Sequence, residues 1–181
     1  MALKATIFKA DLQIADMDRN YYQNHVLTLA RHPSETDERM MVRLLAFALF
    51  ANERLEFGRG LSVEDEAALW QKDLTGAIEL WIEVGLPDER EIRKACGKAN
   101  RVVVLSYGGR GADLWWGQSC NKLERLRNLT VINLPSATSQ ALAALANRNM
   151  SLQCTIQDGQ AWLTDGGNTA HIEPLRLKEP G

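Results

Sequence analysis

The sequence predicts an α/β fold of the α+β kind: a mixed β-sheet flanked by helices, with extra strands at both ends. Three observations carry this prediction. Strand-like and helix-like patterns alternate between residues 77 and 147. The run from Met40 to Phe50 is apolar on nearly every face, which marks a buried helix. Both ends of the chain are short strand patterns separated by turn residues. With 181 residues, 45% of them hydrophobic, the chain fits one domain over 1–181 with a sizeable core.

Residues 3–14 and about 21–30 read as strands. Asp16-Met17-Asp18-Arg19-Asn20 between them is turn-forming, so the pair forms a hairpin. Pro33 stops the second strand, and Ser34 is the expected N-cap of a helix over 35–53. Residues 55–63, with Gly58 and Gly60, read as a loop. Strands at 66–72 and 77–84 flank Asp73-Leu74-Thr75-Gly76, a tight-turn signal. In the second strand Ile78, Leu80, Ile82 and Val84 share one face, and Glu79, Trp81 and Glu83 share the other.

Gly85-Leu86-Pro87 ends that strand, and Asp88 with Glu91 opens a helix. Its apolar stripe is Ile92, Ala95, Cys96 and Ala99. The β-branched run Arg101 to Tyr107 fits a strand buried on both faces. A glycine turn at 108–111, helix 112–127, strand 129–134 and helix 136–147 complete a strand–helix rhythm. Such a rhythm implies right-handed crossovers and a parallel edge to the sheet. The tail reads as a meander, 151–157, 160–164 and 168–177, turning at Asp158-Gly159 and Asp165-Gly166-Gly167. Meander and N-terminal hairpin are placed in one additional sheet, and Lys178 to Gly181 are expected to fray.

Composition excludes several functions. A net charge of −2 argues against charge-driven coating of nucleic acid, yet leaves room for a local basic groove. Cys96, Cys120 and Cys154 form no CxxC pair, so neither a zinc knuckle nor a disulfide framework is indicated. His25, His32 and His171 lack metal-ligand spacing, and Ser106 is not in a GxSxG elbow. The N-terminus has no apolar run of signal-peptide length, and no segment reaches the roughly 18 consecutive apolar residues of a membrane span. The expectation is therefore no membrane partner and a cytoplasmic location.

The candidate chemistry lies in residues 64–98. A two-residue loop at Leu74-Thr75 places Asp73 opposite Gly76 and, counting outward, Glu66 opposite Glu83. Cross-strand Cβ atoms in such a pair are about 4.5–5.5 Å apart. A one-residue slip brings Asp65 opposite Glu83 instead. Paired carboxylates repel unless a cation lies between them, and hard oxygen ligands suit Mg2+ or Mn2+. Such an ion activates water for phosphodiester hydrolysis. Glu38 is a candidate further carboxylate. Carboxylates lining a solvated sheet edge fit the same spacing.

Arg90, Arg93, Lys94, Lys98 and Arg101 are the densest basic stretch, and Arg59 stands between two glycines. Arg59, Arg93 and Lys98 are candidate phosphate contacts to nucleic acid; Arg59 pairing with Glu66 is the simpler alternative. Helical spacing puts Lys94 and Lys98 on the face opposite Ile92. Trp70 and Trp81 fit either stacking on a base or packing beneath a helix. Gly108-Gly109-Arg110-Gly111 fits a nucleotide-binding loop less well than an ordinary turn, since it matches no phosphate-loop pattern.

The runs SETDERMMVRLLAFAL (34–49), FGRGLS (57–62), DEAALW (65–70), WIEVGLPDE (81–89) and TIQDG (155–159) resemble the YaeQ family. The resemblance implies a PD-(D/E)xK nuclease-like core, a variant of the restriction-endonuclease fold with an acidic site at a strand hairpin. It also implies divalent-metal-dependent cleavage of nucleic acid, or nucleic-acid or transcription-associated binding on the same fold. Here Asp65-Glu66-Ala67 stands where DEP is common, and no PD dipeptide is present. Glu83 matches the acidic residue of (D/E)xK, but Gly85 occupies the lysine position. Lys94, from the following helix, is the candidate replacement.

Overall fold

The computed structural model describes residues 4–59 and 65–181. Gly60 to Val63 of the expected loop, together with Glu64 and the first three residues, lie outside that description. The described residues form eleven strands and four helices in two mixed sheets.

Strands β1 (Thr6–Asp16) and β2 (Tyr21–Arg31) form the expected hairpin. Asp16 fixes the turn by accepting the backbone N–H of Asp18 and Arg19 and the Arg19 Nε. Strands β8 (Asn149–Gln157), β9 (Gln160–Thr164) and β10 (Thr169–Ile172) join it in the order β10-β9-β8-β1-β2. The two chain ends thus do build one sheet, with β1 and β8 parallel.

The second sheet has the order β11-β7-β6-β5-β4-β3. It comprises β3 (Leu55–Phe57), β4 (Leu69–Lys72), β5 (Ile78–Val84), β6 (Ala99–Ser106), β7 (Leu129–Asn133) and β11 (Leu175–Lys178). Strands β5, β6 and β7 are parallel. They lie in the middle of the sheet rather than at its edge, because β11 leaves the meander and pairs antiparallel with β7. The expected loop at 55–63 also contains strand β3. The tail does not fray: Lys178 Nζ donates to the carbonyls of Leu126 and Leu129, and the Gly181 N–H to that of Arg127.

Helix α1 (Asp37–Phe50) packs against both sheets, which explains a sequence apolar all round. Its N-cap is Thr36 rather than Ser34; the Thr36 hydroxyl accepts the Arg39 N–H. Arg43, the one charge in the apolar run, is buried and donates through Nε and Nη2 to both oxygens of buried Glu35. Leu80, Ile82, Val84, Val103 and Leu105 face this side. On the other side, Trp81, Val102 and Val104 pack beneath helices α2 (Glu89–Lys98) and α3 (Arg110–Leu123). Helix α4 (Ser136–Ala143) lies beside α1. The β-branched run of β6 is buried on both faces, as its composition predicts.

Gly58 marks where β3 meets the chain leading into β4. A Cβ there would lie 1.9 Å from the Ala67 carbonyl oxygen, inside any permitted contact. The backbone must then move, and Gly58 N–H donates to the Ala68 carbonyl beside the clash. Gly58→Ala is expected to cost about 1–3 kcal/mol as overpacking. Chemical denaturation measures it, and a cost within error of zero would contradict the close approach.

A candidate carboxylate cleft at the ends of the parallel strands

A cleft of about 640 Å³ opens at the C-terminal ends of β5 and β6, under the flank of α2. Open α/β sheets commonly bind ligands outside the carboxyl ends of parallel strands. Glu83 lies on its β5 wall, half-buried among Trp81, Ala95 and Tyr107. Burial pushes the Glu83 carboxyl up from 4.5 to about 7. The Trp81 indole N–H at 2.8 Å, the Arg39 charge and the Ala68 N–H oppose that shift, while Glu91 adds to it.

The expected register at the hairpin is two residues off. Leu69 pairs with Ile82, Trp70 with Trp81 and Gln71 with Leu80. One further step places Ala68 across from Glu83, not Glu66 or Asp65. The reason is the Asp73 side chain, which accepts the Thr75 and Ala77 N–H groups and the Thr75 hydroxyl. Those bonds open the loop to residues 74–76, with Gly76 at φ 89°, and a bulge follows between Gln71 and Lys72.

Asp65 and Glu66 still border the cleft, from the segment before β4. Each already holds a cation. Glu66 accepts the Arg59 Nε and N–H, both at 2.8 Å, and these bonds hold its carboxyl below the usual range. Arg59 therefore takes the simpler of its two expected roles. Asp65 stands 3.4 Å from Lys98 Nζ.

Lys94 and Lys98 are exposed, on the face opposite Ile92 that helical spacing assigned them, and both also line the cleft. Ile92 and Ala95 seat α2 on the sheet, and the helix flank overhangs the strand ends, so long side chains reach back over the opening. Lys98 Nζ also lies 6.0 Å from the Trp81 ring centre. Trp81 is buried against Trp70 and α2 rather than presented for stacking. Arg93 stands apart from the cleft, pairing with Glu89 at 3.2 Å and donating to the Lys122 carbonyl. Glu38 is also outside: it accepts the Ser139 hydroxyl at 2.9 Å and faces α4.

Sequence reasoning missed Arg39, Arg43, Glu91 and Tyr107, which also line the cleft. Arg39 is held by Glu35, the same carboxylate that pairs with Arg43. The spacing Glu35, Arg39, Arg43 was the available signal, each step being one helical turn. Gly85 adopts φ 100°, a conformation lysine avoids, and its N–H donates to the Leu105 carbonyl. A lysine at the position the motif expects would strain this turn.

The fold and cleft together define an α+β protein with a desolvated carboxylate, ringed by basic groups, at the ends of a central parallel strand set. The family model described as YaeQ protein matches residues 1–174, and the chain belongs to the YaeQ family. It is 50% identical to the uncharacterized protein YaeQ of Salmonella typhi and 48% identical to that of Escherichia coli K12, over 99% of each chain. The crystal structure of YaeQ from Xanthomonas axonopodis pv. citri is similar at TM-score 0.94 and 52% identity, covering 97% of this chain and 99% of that one. The YaeQ structure from Pseudomonas syringae matches at TM-score 0.92 and 36% identity, covering 97% of both.

Proposed function

We propose that the cleft is a nuclease-like site acting on the phosphodiester backbone of nucleic acid, with Glu83 as its central carboxylate. The supporting observation is the gathering of Asp65, Glu66 and Glu83 with Lys94 and Lys98 around one opening. Acidic groups for an ion and basic groups for phosphates then face the same volume.

The donor set fits Mg2+ or Mn2+. Its oxygens are hard, and Mg2+ is commonly held by one or two carboxylates with waters and substrate phosphates. Among the described residues no group of three or more His, Cys, Asp or Glu side chains gathers as a ready-made cage. Glu83 with Asp65 or Glu66 would hold the ion. A bound ion supplies Lewis acidity and a water of lowered pKa. The chain's own groups do the rest. Lys94 faces the opening and stabilises developing negative charge in place of the absent motif lysine. Lys98 and Arg59 grip phosphates by exchanging their carboxylates for them. Arg39 keeps positive charge beside Glu83.

A second reading, nucleic-acid binding without cleavage, rests on one observation. Asp65 and Glu66 are already neutralised by Lys98 and Arg59, which weakens the acidic pair as an ion site.

Thermal melting with Mg2+ or Mn2+ added tests the ion site. A ligand bound only by the folded state must raise stability. The melting temperature of the wild type is expected to rise by a few degrees, and the Glu83→Gln variant is expected not to respond. Cleavage and binding of single- and double-stranded DNA and RNA then separate the two readings. Binding without cleavage or metal response selects the second; no metal response and no binding would reject both.

A further inference from the structure

Strand β2 is an edge of the first sheet, and along Tyr21–Ala30 it carries no Asp, Glu, Lys, Arg, Pro or Gly. Natural edges of this length are usually blunted by charge, proline or a bulge. Its pairing with β1 is unbroken from Thr6↔Arg31 to Asp16↔Tyr21. The Lys9 N–H donates to the Arg148 carbonyl on the β8 side, so Lys9 turns its backbone away from its partner Thr28. By strand alternation, Tyr22, Asn24, Val26 and Thr28 point their N–H and C=O groups at the open edge. Among the described residues none of these groups has another partner. Ala30, of the same parity, has its carbonyl taken by Arg43 Nη2, which closes that end.

The same residues place their side chains on the outer face of the sheet. Val26 is 81% exposed and Tyr22 53%. We propose that a second copy of this chain pairs with this edge, β2 against β2 antiparallel, about a two-fold axis at Asn24. Self-pairing imposes a strict condition: residues equally distant from the axis meet. About Asn24, Tyr22 meets Val26 of the other copy, twice. An aromatic residue against a β-branched one is a favourable cross-strand pair. Asn24 meets Asn24 as two uncharged amides. On the inner face Tyr21 meets Leu27 and Gln23 meets His25, and no like charges oppose. The paired stretch ends short of Ala30, leaving the Arg43 contact intact. A two-fold interface with the same patch on both sides is the commonest form of homo-oligomer. The sheet becomes continuous across ten strands, and the seam covers the most exposed apolar residues of β2. The contact is short for a protein interface, so association is weak and concentration-dependent.

Sedimentation analysis of the full chain across a concentration series tests this. The wild type is expected to shift from monomer toward dimer. Asn24→Lys and Asn24→Asp each place like charges on the axis, and each alone is expected to remain monomeric with an unchanged melting temperature. An equimolar mixture of the two variants is expected to regain the dimer, since opposite charges then meet. That rescue depends on Asn24 meeting Asn24 and cannot come from a folding defect. A wild type that stays monomeric up to about 1 mM, or variants that dimerise as well as wild type, would overturn the proposal. Dimerisation in the wild type with no rescue in the mixture would overturn the Asn24 axis.

Discussion

Replacing Glu35 with alanine is expected to destabilise the protein by about 3–5 kcal/mol, the usual effect of breaking a buried pair from one side. The Arg43 guanidinium is buried between α1 and β2, and Glu35 satisfies its Nε at 2.9 Å and its Nη2 at 2.6 Å. Without Glu35 the charge stays buried with only the Ala30 carbonyl at 3.1 Å to receive it. The double variant Glu35→Ala/Arg43→Met is expected to recover most of the loss, because a methionine of similar reach needs no partner. Denaturant unfolding of the single and double variants measures the difference. A single variant within about 1 kcal/mol of wild type would contradict the arrangement. The network also reaches the cleft, since Glu35 holds Arg39 and the Arg39 charge favours ionised Glu83.

In metal-free buffer, the stability of the wild type relative to Glu83→Gln is expected to fall as pH rises from about 4.5 to about 7, then to level off. Burial raises the Glu83 pKa in the folded chain, so between those values the native state holds a proton that the unfolded state has released. The contribution is fully present below the unfolded value and is lost through the folded one. The fall is expected to be on the order of 3 kcal/mol, from the size of the shift and the 1.36 kcal/mol that each pKa unit represents. Unfolding free energies of both proteins at a series of pH values between 4 and 9 check it. Parallel curves would mean that Glu83 is solvated, and its place as the central carboxylate of the cleft would go with that result. A divalent ion competes with the proton, so Mg2+ is expected to flatten the dependence.

The sequence by itself determined most of the elements and their faces, though not strand β3 or the separate strand β11. Period-two alternation placed Trp81 and Glu83 on the side of β5 opposite Leu80 and Ile82, and that is where they lie. The all-apolar helix and the strand buried on both faces were legible because burial on every side leaves no polar stripe. These are properties of periodicity, which a single chain carries locally. Strand patterns marked both ends of the chain, while their joining through β1 and β8, and the departure of β11 to the other sheet, were settled by pairing between distant segments.

Tertiary structure decided the cleft. The Asp73 turn and the bulge between Gln71 and Lys72 together reset the hairpin by two residues and put Ala68 where a carboxylate was expected. Packing of α2 on Ile92 and Ala95 swung Lys94 and Lys98 over the strand ends, while Glu38 turned to Ser139 and Arg39 entered in its place. Apart from the four-residue spacing of Glu35, Arg39 and Arg43 and the local Asp73 turn, no local pattern encodes such choices. They follow from how a whole helix settles on a sheet and from where long charged side chains find partners once it has.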